Sequence, residues 1–320
     1  MITLELVYLL LGAMVLGVAV VNARDRAHPK RVGNALFWGL WAATFLLGSH
    51  LSDFVNGLIV IAMVLVASAR AVGGGTPDRL TAAERQASAH RWGNRLFVPA
   101  LLVPVLTLLG TLTLKSVRIG SVSLVDPRQV TLIALSGATL VALVVGVAML
   151  KPPALTPLGE SRRLLDTVGW AAVLPQLLAA LGALFAAAGV GQVIASLAVR
   201  WIPLDLAAVA VVTYTVGMAL FTIVMGNAFA AFPVMTAGIG LPLIVGKFGG
   251  DPVVMAAIGM LSGYCGTLMT PMAANYNIVP VALLELPDPN AVIKAQVPTG
   301  LLLLLVNTLL MAAFVYRPGR

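Results

Sequence analysis

Two stretches decide the fold. Met225–Leu243 reads MGNAFAAFPVMTAGIGLPL, and Ser262–Pro280 reads SGYCGTLMTPMAANYNIVP. Both lie deep in an apolar chain, and both are rich in Gly, Pro, Asn and Thr, which break helices and bring hydrogen-bonding groups. An unpaired backbone amide in lipid costs several kcal/mol, so broken backbone survives only where protein or an aqueous cavity covers it. Two such breaks close together point to the binding centre of a secondary transporter.

Composition agrees with a membrane setting. The 320 residues are 60% hydrophobic and 10% charged, with a mean hydropathy of +1.00. Soluble domains run nearer 25% charged. Several apolar stretches reach the roughly 18 to 20 residues that cross about 30 Å of hydrocarbon. The net charge of +8 does not indicate nucleic acid, because the basic residues lie in loops between apolar spans. With Cys265 as the sole cysteine, no intrachain disulfide can form. His28, His50 and His90 fall in or near loops and have no metal-ligand spacing.

The expected architecture is an all-α polytopic membrane protein with about eight spans, one re-entrant hairpin and one broken span. Spans one to five are expected at about 3–21, 33–47, 54–69, 96–114 and 130–150. The first is read as a retained span, since its basic cluster follows the apolar run. The polar segment 70–95 can hold a short surface helix. Span four is expected to be interrupted near Pro99 and Pro104, and 151–166 is read as a loop. Span six should end at Gly189–Gln192, leaving an interfacial arm up to Trp201. The hairpin occupies 205–246, turning at Met225–Ala228. Its bland alternative is two ordinary spans with a Gly-Asn turn at the far membrane face. The broken span covers 252–286 and the final span 297–316. Loops 22–31, 70–95, 151–166 and 285–294 hold 13 of the 20 Lys and Arg residues. They fall on one side if the hairpin returns to its starting side. By the positive-inside rule that side is cytoplasmic, so both termini face outward and the hairpin enters from outside. The echo of Arg31–Phe37 in Arg91–Phe97 is read as a shared start signal for a span, with an ancestral duplication as the other reading.

Asn227 can simply close the turn, or its amide can face substrate together with the N–H groups of the following half-helix, where Gly226 and Ala228 let backbone approach. Gly266, Thr267, Thr270, Asn275 and Asn277 cluster in the second break. A Thr there can back-bond within its helix, but so many polar groups in one span favour a binding role. Cys265, Ser136, Gly137 and Thr139 read as small packing residues. Asp53, Asp205 and Asp251 sit at span ends and read as solvated, and Gln192 reads as a headgroup contact. No H-E-x-x-H, G-x-S-x-G or Walker A motif occurs, so no enzymatic activity is expected.

The two quoted stretches, with Met255–Leu286 continuous through the second, resemble an uncharacterised bacterial membrane family. That family is identified as the larger subunit of a two-subunit 5-oxoproline (pyroglutamate) permease, and is similar to the ion transporter superfamily of divalent-anion/sodium symporters. The resemblance implies an elevator-like carrier of a small carboxylate in the bacterial inner membrane. One half of that fold would cover 96–320, and 1–95 would be an added three-span scaffold. A second membrane subunit would supply the complementary half. The resemblance implies coupling to Na⁺ or H⁺, with Na⁺, if it is the ion, near Asn227 and Thr267. The superfamily's Ser-Asn-Thr tip survives here only as Gly226-Asn227-Ala228. The rival reading is a non-transporting scaffold subunit of an enzyme complex.

Overall fold

The computed structural model describes residues 1–74, 81–119, 122–201 and 205–316. The chain parts into two compact units, Met1–Asp166 and Thr167–Arg320.

The first unit holds α1 (Leu4–Arg24), α2 (Arg31–Leu47), α3 (Asp53–Ser68), α4 (Ala82–Trp92), α5 (Phe97–Thr113), α6 (Val130–Leu150) and most of α7 (Thr156–Val168). α1 packs along α2, and α5 along α6. The surface helix in 70–95 is α4. It starts on a reciprocal cap in which the Thr81 hydroxyl accepts from Glu84 N and Glu84 accepts from Thr81 N. Three expectations need correction. Span four is not interrupted: Pro99 lies in the first turn of α5, where an N–H would have no intrahelical partner, and Pro104 is carried inside the helix. The segment 151–166 is not all loop, because Pro157 also falls in a first turn and α7 follows. The packing face of α6 is Ala134, Ala138 and Ala142, while Gly137 faces open space and the Ser136 and Thr139 hydroxyls bond back to Leu132 O and Leu135 O. The connection 115–128 also forms a two-stranded ribbon, β1 (Arg118–Ile119) with β2 (Val122–Ser123), in a chain whose described residues are mostly helical.

The second unit holds α8 (Leu174–Ala187), α9 (Val190–Trp201), α10 (Ala207–Met225), α11 (Ala228–Met235), a π-helix (Thr236–Lys247), α12 (Pro252–Thr267), α13 (Ile278–Leu283) and α14 (Ala291–Phe314). Gly189, at φ +73°, separates α8 from α9, as the Gly-Val-Gly-Gln stretch predicts. The core joins Val211, Tyr214 and Met218 of α10 to Ile239 and Ile244 of the π-helix, Met255 of α12 and Met311 of α14. Pro242 lacks an N–H and would crowd the carbonyl four residues back in an α-helix. The wider π turn, seen in the Phe248 N–H to Leu243 O bond, accommodates it.

Seven helical runs among the described residues are long and apolar enough to cross a membrane: Leu4–Arg24, Gln86–Thr113, Val130–Leu150, Thr156–Ala187, Ala207–Met225, Ala228–Lys247 and Ala291–Phe314. Asp53–Ser68 and Pro252–Thr267 are shorter apolar helices. The protein is a multi-pass, predominantly α-helical membrane protein.

Candidate functional site

The hairpin turn and the unwound stretch after α12 meet within the second unit. α10 ends on Gly226 in the left-handed region, φ +74°, and Asn227 reverses to extended backbone and caps α11. Only glycine suits the turn on two counts. Its φ is unfavourable for other residues, and a Cβ there would lie 2.6 Å from both Cβ and O of Met272. The tip is thus seated on the break.

α12 stops because Pro271 cannot continue it and disfavours helical geometry at Thr270. The Thr270 hydroxyl donates to Ile223 O at 2.8 Å and accepts from Met272 N at 3.2 Å, tying α10 to the unwound segment. Asn277 Nδ2 donates to Thr267 O at 2.9 Å and to Thr270 O at 2.7 Å, so it caps the carbonyls that the break frees. Thr267 Oγ1 bonds back to Tyr264 O. Gly266 packs on α10 so closely that a Cβ would collide with Ala219 O.

The other residues singled out in the sequence take varied places. Asn227 is half-buried, and its Oδ1 accepts from Phe229 N at 2.8 Å. An anion at the start of α11 would compete with that oxygen. Ala228 is fully buried, facing the Gly263 side of α12. Asn275 is exposed, apart from the buried Thr267, Thr270 and Asn277. Phe229, Met272 and Tyr276 are also exposed, and Phe229 stacks edge-on against Tyr264 at 6.0 Å between centroids. Cys265 is buried, with Asn307 Nδ2 at 3.5 Å from its sulfur. Asp205 pairs with Lys247, Asp251 caps α12, and Gln192 is exposed.

One residue was missed. Thr222 is fully buried on α10, against Gly263 and Gly266, and its hydroxyl has no hydrogen-bond partner. The sequence does carry a signal for it, since Thr215, Ala219, Thr222 and Gly226 share one helical stripe of small or polar residues. Asn277 Oδ1 is likewise buried without a partner. Buried polar atoms are normally satisfied, so these two oxygens stand out in the second unit. No group of three His, Cys, Asp or Glu side chains suited to a metal occurs among the described residues.

No curated protein and no solved structure matches this chain. A family model does, across residues 5–316. The chain belongs to the family described as "Protein of unknown function (DUF979)".

Proposed function

We propose that the chain is the transport subunit of a two-subunit secondary carrier for a small organic carboxylate. The observation that carries this reading is the seating of Gly226 on Met272, which puts the start of one half-helix beside the unwound end of another. Such paired helix ends offer N–H groups to an anion and oxygens to a coupling cation. The broken segments contain no Arg or Lys, so this chain would hold a carboxylate by amides, hydroxyls and helix ends. The exposed rim of Phe229, Met272, Asn275 and Tyr276 would be covered by the second membrane subunit. In this reading 96–320 is one half of an elevator-type carrier in the inner membrane, with its hairpin re-entrant and both termini outside. Residues 1–95 serve as scaffold.

The resemblance noted in the sequence makes 5-oxoproline the first substrate to test. In proteoliposomes, the chain with its partner subunit should take up labelled 5-oxoproline, and the chain alone should not. Asn227→Ala and Thr267→Val should lower uptake at normal expression, and Asp53→Asn, on an exposed helix start, should leave it intact. Loss of one dipolar contact of about 0.5–2 kcal/mol corresponds to a roughly 2- to 30-fold weakening. If Asp53→Asn abolishes uptake and both other variants are silent, the site is misassigned. If the complete pair moves no small carboxylate, the scaffold reading takes its place.

A further inference from the structure

Helix α4 belongs to the first unit, and the transport reading makes no use of it. It has 11 residues, and isolated helices below about 12–15 residues are marginal in water. Helices in proteins overcome this mainly by burying a face. α4 buries none: Ala83, Glu84 and every residue from Gln86 to Arg91 are exposed, and Trp92 is half-buried. Its packing in the chain is chiefly onto the short 3₁₀ turn that follows, Gly93–Leu96. The reciprocal cap from Thr81 and Glu84 fixes where α4 starts but leaves its sides uncovered.

What can cover α4 follows from where it sits. α5 comes directly after the turn, carries no charged residue and has 17 residues. At 1.5 Å per residue it reaches about 25 Å, short of the roughly 30 Å of hydrocarbon. The start of α5 therefore lies at or inside the hydrocarbon edge. The four-residue turn, rising about 2 Å per residue, keeps the end of α4 within about 8 Å of that edge, among the headgroups. Charge fits the same place. Segment 70–95 holds five Arg against Asp78 and Glu84, and Glu84 is engaged by Thr81 at the far end of α4. At the near end Arg91 and Arg95 are exposed, and Arg91 Cζ stands 5.6 Å from the centre of the Trp92 ring. An indole with a guanidinium over it suits the headgroup boundary. Trp92 is the only large apolar side chain of α4, so the helix has no apolar stripe to insert and its cover must be electrostatic.

We propose that α4 is a membrane-surface helix that binds the phosphodiester headgroups of anionic phospholipids through Arg91 and Arg95. A guanidinium meets phosphate oxygens with a planar fork of donors. An anionic headgroup carries no cation of its own to balance its phosphate, unlike a zwitterionic one, so it gains most from the two Arg side chains. A second copy of this chain would bring the same positive charge to the patch and be repelled. The bilayer lies beside the end of α4 in every copy, and its anionic lipids supply the cover that the rest of the chain does not. α4 is accordingly held more firmly on an anionic bilayer than on a zwitterionic one.

Amide exchange of the full chain in lipid nanodiscs tests this. Discs of phosphatidylcholine alone are compared with discs in which phosphatidylglycerol replaces part of it. Exchange in peptides covering Ala82–Trp92 should slow by roughly tenfold in the anionic discs, the scale expected of two Arg beside an anionic surface, while α5 exchanges alike in both. Arg91→Gln/Arg95→Gln should erase the lipid difference with α5 unchanged. Arg91→Lys/Arg95→Lys, which keeps the charge, should bring most of it back, and this separates lost charge from a damaged helix. Equal exchange of α4 in the two kinds of disc overturns the proposal. So does slowing that survives the glutamine pair, or a lysine pair no better than the glutamine pair. Slowing reproduced in phosphatidylcholine discs by soluble glycerol phosphate also overturns it, since that would mark a site for a free anion and not a membrane surface.

Discussion

Asn227 carries two chemistries that substitution can separate. As a cap it satisfies Phe229 N, and serine caps nearly as well as asparagine. Asn227→Ser should therefore keep the melting temperature of the detergent-solubilised protein, while Asn227→Ala lowers stability by about 0.5–2 kcal/mol. If serine also restores uptake, the amide only caps; if uptake stays low with stability restored, the amide meets the substrate. Asn277→Ala should be the more damaging change, because it removes two hydrogen bonds, to the Thr267 and Thr270 carbonyls, at about 0.5–1.5 kcal/mol each. Gly226→Ala meets both a left-handed φ and the wall of Met272, so it should fail by unfolding. These roles were partly legible. The sequence marks Asn227, Thr270 and Asn277 as polar residues at breaks, but whether an amide faces a carbonyl or a cavity depends on how the unwound chain folds back. No local pattern encodes that. Thr222 was legible only as one member of the small and polar stripe on α10, which marks a packing face without showing that its hydroxyl goes unpaired.

Whole elements were easier to read than their ends. α6 begins and ends where the apolar run does, and the turn at Gly226-Asn227 follows from residues suited to left-handed and capping geometry. Helices built on proline were misread, because a proline breaks a helix only beyond its first turn. That rule let α7 form where a loop was expected and admits Pro99 at the start of α5, whereas Pro104 lies inside α5 and does not end it. The π-helix could not be foreseen, since Pro242 marks a disturbance without saying whether the chain will kink, stop or widen. α7 also permits a pH test of its bond to the end of α1. The Arg162 guanidinium, mainly by its hydrogen bond, holds the Asp25 carboxyl below its ordinary value of 3.8. A carboxylate with a lowered pKa adds stability that is present above the unfolded value and is lost as pH falls through the folded one. Wild-type protein should therefore melt above Asp25→Asn at neutral pH, and the two curves should converge below that ordinary value. A constant gap at all pH values would show that Asp25 acts by packing rather than by charge.

At the scale of the whole molecule, composition alone places the chain in a membrane, and seven long apolar helical runs bear that out. How deep the hairpin tip lies is a separate matter, because hydropathy counts residues without locating them. The two arms, Ala207–Met225 and Ala228–Lys247, have 19 and 20 residues. At 1.5 Å per residue the α-helical first arm reaches about 28 Å, close to the hydrocarbon thickness, and the second, π-helical over Thr236–Lys247, rises less per residue. Length by itself therefore favours two ordinary spans with the tip at the far face. The residues at the tip argue the other way. Gly226, Asn227 and Ala228 carry no charge, and their neighbours are Met225 and Phe229, which suit a headgroup-level loop poorly. The tip is also seated on a break that needs cover from lipid. A re-entrant hairpin reconciles the two if its arms tilt or their bases, at Asp205 and Lys247, stand clear of the hydrocarbon. That exposed pair, joined at 3.0 Å, is suited to water. A fluorophore placed by Asn227→Cys, in a Cys265→Ala background, should be quenched more strongly by nitroxides at the middle of the acyl chain than by nitroxides at the headgroup. The same label at Asp205→Cys should show the reverse order. If position 227 is quenched at headgroup depth, the two arms are plain transmembrane helices, and the break after α12 must be sheltered by something other than a hairpin dipping into the bilayer.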